Sequence, residues 1–483
     1  MRKSPRNPFI LADVQPNPEQ SLTATELLEE IDDYNSILKS THCALHRVIT
    51  ENDFSLFVTK TKDEIRSTKE TYTLIECFYF LQRIAAFVCD GHTKIQSPDS
   101  WAPEIFPAEV TLCENRLFVT SIIGKPGLPL GSEIIRVGQY PISVIINQTM
   151  EYIEGTLDRY KEERWADCFS VFLQTKFNLK SPWVVEYTHN GVKTSTKIDG
   201  VSQESSEYKT WFRERVLPSK GTLRLNGSNL PILRLPHLGF DKETFWKILG
   251  DFFEESANEP YILIDVRRCP GGNGERGFEV IDRIMDCDKS EGYTPVSSSV
   301  FRVSESYKKY VSYQIGSLYY DKRIPQILQK LPLYRWFMRD SIYSQIYHKA
   351  LQAKIGDFVT INWPLRKSVG ERNINGRLIL LIAPETFSAG VVFAASFKHA
   401  TSGIVIGRET GGRISMLSDS LSIQLPRTGL FAHIPTCTLT MPGDNPDRGV
   451  LPDVSTIYTP EDYVNLNDKE MEQVSIIINE TVS

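Results

Sequence analysis

Apolar residues in the first hundred positions recur with helical spacing. In TATELLEEIDDYNSIL, Leu27, Leu28, Ile31, Tyr34 and Leu38 fall on one face, with Thr23 or Thr25 placed to cap the first turn. Residues 44–66 and 72–88 continue in helical style. The stretch YTLIECFYFLQRIAAFV is apolar nearly all round, which predicts a buried helix. It runs into Cys89-Asp90-Gly91-His92, where Gly91 suits a left-handed helix stop. The pattern then shortens to strands. RLFVTSII, SEIIRVG and PISVII are short apolar runs separated by GKPG, LPLG and GQYP, and KFNLKSPWVVEYTHNGVKTSTKID carries a hairpin turn at His189-Asn190-Gly191. Residues 150–175 read as helical.

From about residue 220 apolar strands alternate with amphipathic helices. LPILRLP, YILIDVR and RLILLIAP read as strands, and ETFWKILGDFFEE, GFEVIDRIMD and SAGVVFAASFKHA as helices. Such alternation predicts a largely parallel sheet covered on both faces. Three parts are expected: a helical region over 1–109, a small strand-rich domain over 110–205, and an α/β domain over 206–483. The last is interrupted by a Tyr-rich insertion at about 288–372, partly helical around 321–353. The polar, Pro-rich residues 1–20 read as loose.

Composition narrows the function classes. With 54 Lys and Arg against 60 Asp and Glu, the net charge of −6 offers no basic face for nucleic acid. No run of about 18 apolar residues exists to span a membrane. The basic start MRKSPRNPFI is not followed by an apolar stretch, so it does not read as a signal peptide. The expectation is a cytoplasmic protein, or one whose leader lies outside this sequence. The eight cysteines and eight histidines are scattered without CxxC, HExxH or HxH spacing, so no metal site is expected. The cysteines read as small buried apolar residues.

Three segments can carry chemistry. In Pro384-Glu385-Thr386-Phe387-Ser388-Ala389-Gly390 a buried strand turns into a helix that begins at Ser388. A serine there sits in the positive end of the helix dipole, which favours a developing oxyanion, though such a serine can equally be a helix cap. In Cys269-Pro270-Gly271-Gly272-Asn273-Gly274 the glycines uncover backbone amides after a strand, as an oxyanion hole or phosphate cradle requires. Gly272, Gly274 and Gly277 also match the dinucleotide pattern GxGxxG, with no clear acidic residue ending the next strand. In Asp90-Gly91-His92-Thr93 a loop histidine follows the buried helix, and Asp90 could accept from its ring or simply be a solvated helix end.

In this order the segments resemble the C-terminal-processing (tail-specific) serine peptidases. IDVRRCPGGN is similar to that family's oxyanion segment, and ETFSAGVVFAASFKHATSGIVIGRETGG to its nucleophile segment. CDGHTKI resembles the stretch of the tricorn-core branch, which uses a histidine base, and RGVLPDV the closing Gly-Val-x-Pro-Asp signature. The resemblance implies a crotonase/ClpP-like α/β catalytic core. It makes Ser388 the nucleophile, His92 the general base, and Ala389 with Gly271 or Gly272 the oxyanion amides. Where the commoner branch places a lysine base this chain has Arg413, which stays protonated and cannot be one. Gly91 and Pro446 replace the serine and glutamate of the tricorn-like relay, so the orienting carboxylate falls to Asp90, Asp447 or Asp444. LPLGSEIIRVGQYPISVI is similar to a PDZ core, without its Gly-rich carboxylate-binding loop.

The expected activity is hydrolysis of peptide bonds through an acyl-enzyme on Ser388, with no cofactor. The expected partner is a peptide or protein substrate, its C-terminal tail being one candidate. Relatives are often exported to the periplasm or cell envelope. The alternatives are a catalytically degenerate member that binds peptide or lipid, and a dinucleotide-dependent oxidoreductase built on the Gly272–Gly277 pattern.

Overall fold

A computed structural model of the 483-residue chain describes residues 9, 16–17, 19–225, 228–239, 242–285, 292–318, 342–367, 376–443 and 445–482. Its fold is mixed α/β. Two compact units are each assembled from separate stretches of chain. The first comprises Met1–Pro98, Val296–Trp363 and Met416–Thr440, the second Asp99–Pro295, Pro364–Ser415 and Met441–Ser483.

In the first unit the helical reading of the N-terminus holds. Helices span Ala24–Thr41, Glu51–Thr68 and Leu74–Phe87. Thr23 caps the first and Thr73 the third, each closing a reciprocal capping box with the glutamate three residues on, Glu26 and Glu76. Leu27, Ile31, Tyr34 and Leu38 are buried at helical spacing. The left-handed residue after the third helix is Cys89, at φ 59°, and not Gly91, because the helix already ends at Phe87. The unit also holds an antiparallel sheet in the order Phe358–Asn362, Ser298–Arg302, Phe431–Thr440, Ser415–Gln424, with Lys94–Gln96 paired onto Phe431–His433. Part of the Tyr-rich insertion therefore builds this sheet, through pairs such as Val300 with Thr438. Its helices Glu305–Leu318 and Ile342–Gln352 carry Tyr307, Val311, Ile346 and Ala350 into the core beside Phe301 and Ile361. The part of the helical expectation over 321–341 lies outside the described residues.

The second unit carries the sheet whose strands lead into the Gly271 and Ser388 turns. Its strands run in the order Ser219–Leu225, Ser228–Arg234, Tyr261–Asp265, Arg377–Ile382, Ile404–Gly407, Val454–Ser455, with only the first pair antiparallel. The central strands are buried on both faces: Ile262, Leu263, Ile264, Ile379, Leu380 and Leu381 are all fully buried. This is the pattern of a parallel sheet covered on both sides. Helices Gly274–Ile284 and Ala389–Ala400 pack together, and a β-carbon at Gly277 would lie 3.3 Å from the Phe393 ring. Gly277 thus serves close helix packing.

The same unit holds a second sheet in the order Val192–Ile198, Trp183–His189, Glu133–Val137, Arg116–Ile122, Ala108–Cys113. Asn190 and Gly191, at φ 49° and 75°, form the expected tight hairpin turn. PISVII, expected as a strand, is instead the helix Ile142–Thr149. Its Ile142, Ile145 and Ile146 are buried at helical spacing, and that burial overrides the strand preference of a β-branched run. The helix Asp158–Thr175 also belongs to this unit. Among the described residues no helix is long and apolar enough to cross a membrane, and most of the described cysteines are buried.

Candidate active site

The turn between the strand Arg377–Ile382 and the helix Ala389–Ala400 is held on two sides. Thr386, fully buried, donates its hydroxyl to the Val266 carbonyl at 2.9 Å and accepts from the Ala383 amide at 3.1 Å. The Phe387 amide donates to the Cys269 carbonyl at 2.8 Å, and Gly411 N–H donates to the Thr386 carbonyl at 2.9 Å. The Phe387 ring stacks on Tyr160 with centroids 4.4 Å apart. These ties hold Ser388 at φ 51° and ψ −120°, a region that residues with a β-carbon avoid. Such strain costs about 1–3 kcal/mol and persists only where the surroundings over-determine it. The Ser388 side chain makes no cap hydrogen bond to its helix. The cap reading therefore fails for this serine.

Gly271, Ser388 and Ala389 come together here. A β-carbon at Gly271, which sits at φ 117°, would lie 2.7 Å from Ser388 Cβ and 3.0 Å from the Ala389 amide nitrogen. Gly272 faces elsewhere: a β-carbon there would meet Gly239 N at 2.6 Å and the Leu238 carbonyl carbon at 2.7 Å, and Leu238 bridges to it in parallel. Of the two glycines left open by the sequence, Gly271 is the one against the serine. Cys269 is fully buried, and burial pushes its thiol up to about 12, so it is no rival nucleophile. Arg413 Nη1 lies 3.5 Å from Asp447 Oδ1, and the Asp447 side chain is 68% exposed. Asp444 lies outside the described residues.

His92 belongs to the first unit, in the loop after the buried helix Leu74–Phe87. Asp90 Oδ1 accepts from the amides of His92 at 2.6 Å and Thr93 at 3.0 Å. Asp90 is buried, which raises its carboxyl, but the hydrogen bonds from the His42 ring and the Thr93 hydroxyl bring it below the usual range. Asp90 thus shapes the backbone of the His92 loop. Ser420 donates its hydroxyl to the His92 carbonyl at 3.4 Å.

A charged cavity of about 400 Å³ lies over the carboxyl ends of the parallel strands, lined among others by Arg234, Asp265, Arg267, Glu385 and Arg408. Arg267 binds Asp265 at 2.8 Å, Asp468 at 2.8 Å and Glu470 at 3.2 Å. Arg408 stands 3.4 Å from Glu163 and 3.8 Å from Glu470. One guanidinium cannot neutralise Glu163, Glu385 and Glu470 together. Burial, reinforced by the charge of Glu385, pushes the Glu163 carboxyl well above its ordinary range, against the pull of Arg408. Arg408 is itself raised: burial lowers it, and the surrounding carboxylates outweigh that. The folded protein therefore holds the Glu163 proton to a higher pH than the unfolded chain, which releases it near 4.5. Stability from this group is fully present below about pH 4.5 and falls as pH rises through the folded value. Thermal unfolding of Glu163→Gln against pH is expected to show a shallower decline and a higher midpoint above neutrality. A decline parallel to the parent's would show that Glu163 is ionised in the fold.

Sequence reasoning overlooked Thr386, Tyr160 and Glu163. Thr386 had a weak signal as a small polar residue in a turn between apolar runs. Tyr160 and Glu163 had none, because only folding brings them to the turn.

A model of peptidase family S41 matches residues 231–456. No curated protein sequence matches the chain. Among solved structures, mature CPAF complexed with lactacystin is similar at 12% identity and TM-score 0.62, over 95% of this chain and 98% of that one. A mutant of CPAF is similar at 11% identity and TM-score 0.66, over 94% and 96%. The photosystem II D1 C-terminal processing protease matches at 14% identity and TM-score 0.43, over 94% and 97%. At such identities the CPAF likeness speaks to the fold alone. The match makes residues 231–456, a little under half of the chain, similar to peptidase family S41 and supports a serine-type peptidase.

Proposed function

We propose that the protein hydrolyses peptide bonds through an acyl-enzyme on Ser388, with His92 as the general base. The observation that carries this reading is the Ser388 backbone, held at φ 51° with Gly271 pressed against its β-carbon. A turn of this kind lifts a serine hydroxyl clear of its own backbone at the start of a helix. The amides of Ala389 and Gly271 supply oxyanion donors, each worth about 100–1,000-fold in rate. His92 takes the hydroxyl proton during attack and returns it to the leaving amine, and water then releases the acyl group. Arg413, cationic and beside Asp447, is excluded as base. In the same reading the parallel sheet is a crotonase/ClpP-like core. The sheet built from residues 108–198 is a PDZ-like module that receives a substrate segment, its C-terminal tail being one candidate, as an added strand.

The test is labelling with a fluorophosphonate probe alongside hydrolysis of fluorescein-labelled casein. The parent is expected to label once, at Ser388, and His92→Ala to label and hydrolyse far more slowly. Undiminished labelling of Ser388→Ala would overturn the nucleophile assignment. Full activity of His92→Ala would overturn the base. Binding of casein without labelling or hydrolysis would favour a degenerate, binding-only member.

A further inference from the structure

The loop that bears His92 rests on a second histidine. His42 follows the helix Ala24–Thr41 and is fully buried, an unusual place for an imidazole with both nitrogens to satisfy. The Ala44 amide donates to His42 Nδ1 at 3.1 Å. A backbone N–H can only donate, so Nδ1 is unprotonated and the ring proton sits on Nε2. From there it points at Thr93 Oγ1, 3.0 Å away, and at Asp90 Oδ2, 3.2 Å away. The Thr93 hydroxyl accepts this proton's hydrogen bond and donates its own to Asp90 Oδ2. Asp90 Oδ1, the other oxygen of the same carboxylate, holds the amides of His92 and Thr93. The backbone that carries the imidazole is anchored as well, since Arg302 donates to the His42 carbonyl at 2.8 Å.

This chain has a direction. A buried carboxylate that must bind two loop amides has to be kept ionised and fixed in rotation. An imidazole whose Nδ1 accepts from the Ala44 amide does this by donating from Nε2 toward Thr93 Oγ1 and the opposite carboxylate oxygen. We propose that His42 is a positioning residue for His92: through Thr93 and Asp90 it fixes the loop backbone from which the base works. The proposal rests on His92 being the base.

The role goes beyond packing, because an apolar residue of equal volume would fill the site yet leave Asp90 and Thr93 without their donor. The test uses the full chain, a fluorophosphonate probe, and kinact and KI measured separately, with the thermal midpoint recorded for each variant. His42→Leu is expected to lower kinact on the order of 100-fold, the usual consequence of a small displacement of a catalytic group, with KI unchanged. His42→Gln, whose amide N–H can stand in for Nε2–H, is expected to recover most of that loss. Thr93→Val, which keeps the shape and removes the hydroxyl, is expected to lower kinact as well, and serves if His42→Leu does not fold. Unchanged kinact in His42→Leu or Thr93→Val, with only the thermal midpoint lowered, would reduce His42 to a structural role and overturn the proposal. A loss in His42→Gln as deep as in His42→Leu would also overturn it. His92→Ala separates the two readings: if it labels like the parent, the base assignment itself fails; if it is inactive while His42→Leu is not, only the positioning role fails.

Discussion

Replacing Ser388 by glycine is expected to abolish hydrolysis and to stabilise the protein. On the proposed mechanism the loss of activity follows from removing the nucleophile, which in serine hydrolases costs roughly 10⁴- to 10⁶-fold. The gain in stability follows from the backbone. At φ 51° and ψ −120° a side chain is strained by about 1–3 kcal/mol, and glycine is not. Against this stands glycine's greater freedom in the unfolded chain, about 0.5–1 kcal/mol. The net gain is therefore about 1 kcal/mol. Ser388→Ala keeps the strain, and is expected to lose activity equally without that gain. Measuring denaturant unfolding and probe labelling of both variants separates the two effects. A Ser388→Gly protein less stable than Ser388→Ala would mean that the turn is not strained as described.

The second large effect is expected at Gly271. Gly271→Ala places a β-carbon 2.7 Å from Ser388 Cβ, nearer than such atoms approach, at a φ of 117° that alanine avoids. The two segments must part, and the amides of Gly271 and Ala389 move with them. Loss of one oxyanion donor costs about 100–1,000-fold, and displacement of Ser388 adds to it. Probe labelling is expected to fall by at least roughly 10³-fold. Gly272→Ala provides the contrast. Its β-carbon would strike Leu238 and Gly239, at the bridge that joins this turn to the neighbouring chain. It is expected to lower the thermal midpoint first, and to reduce labelling less per degree lost. If Gly272→Ala proves the less active and the more stable of the two, the oxyanion amide belongs to that glycine instead.

The strands YILIDVR and RLILLIAP and the helix of small residues after Ser388 were legible because their spacing reports burial directly. Continuous apolar runs of five or six residues belong to strands covered on both faces. The Gly271-Gly272 pair was legible as a turn, since both residues sit at positive φ. PISVII was misread because its β-branched residues favour strands, while the burial of Ile142, Ile145 and Ile146 on one helical face decided otherwise. The insertion read as an interruption of the α/β domain, yet Val300 pairs with Thr438 and its helices pack on that sheet. A strand's partner is chosen by long-range pairing, to which local composition is blind.

The sequence by itself determined which residues could do chemistry. It singled out Ser388 at a strand-to-helix turn, glycines that uncover amides, a loop histidine, and an arginine that rules out a lysine base. These follow from residue type and near neighbours. Tertiary structure alone decided that Ser388 is strained and does not cap its helix, because that strain is imposed by Val266, Cys269 and Gly411 from other segments. It also chose Gly271 over Gly272 as the glycine against the serine, and gave Asp90 to the loop amides and His42. Backbone strain, the facing of one glycine and the second partner of a carboxylate are properties of contacts between distant residues, and no local pattern along the chain encodes them.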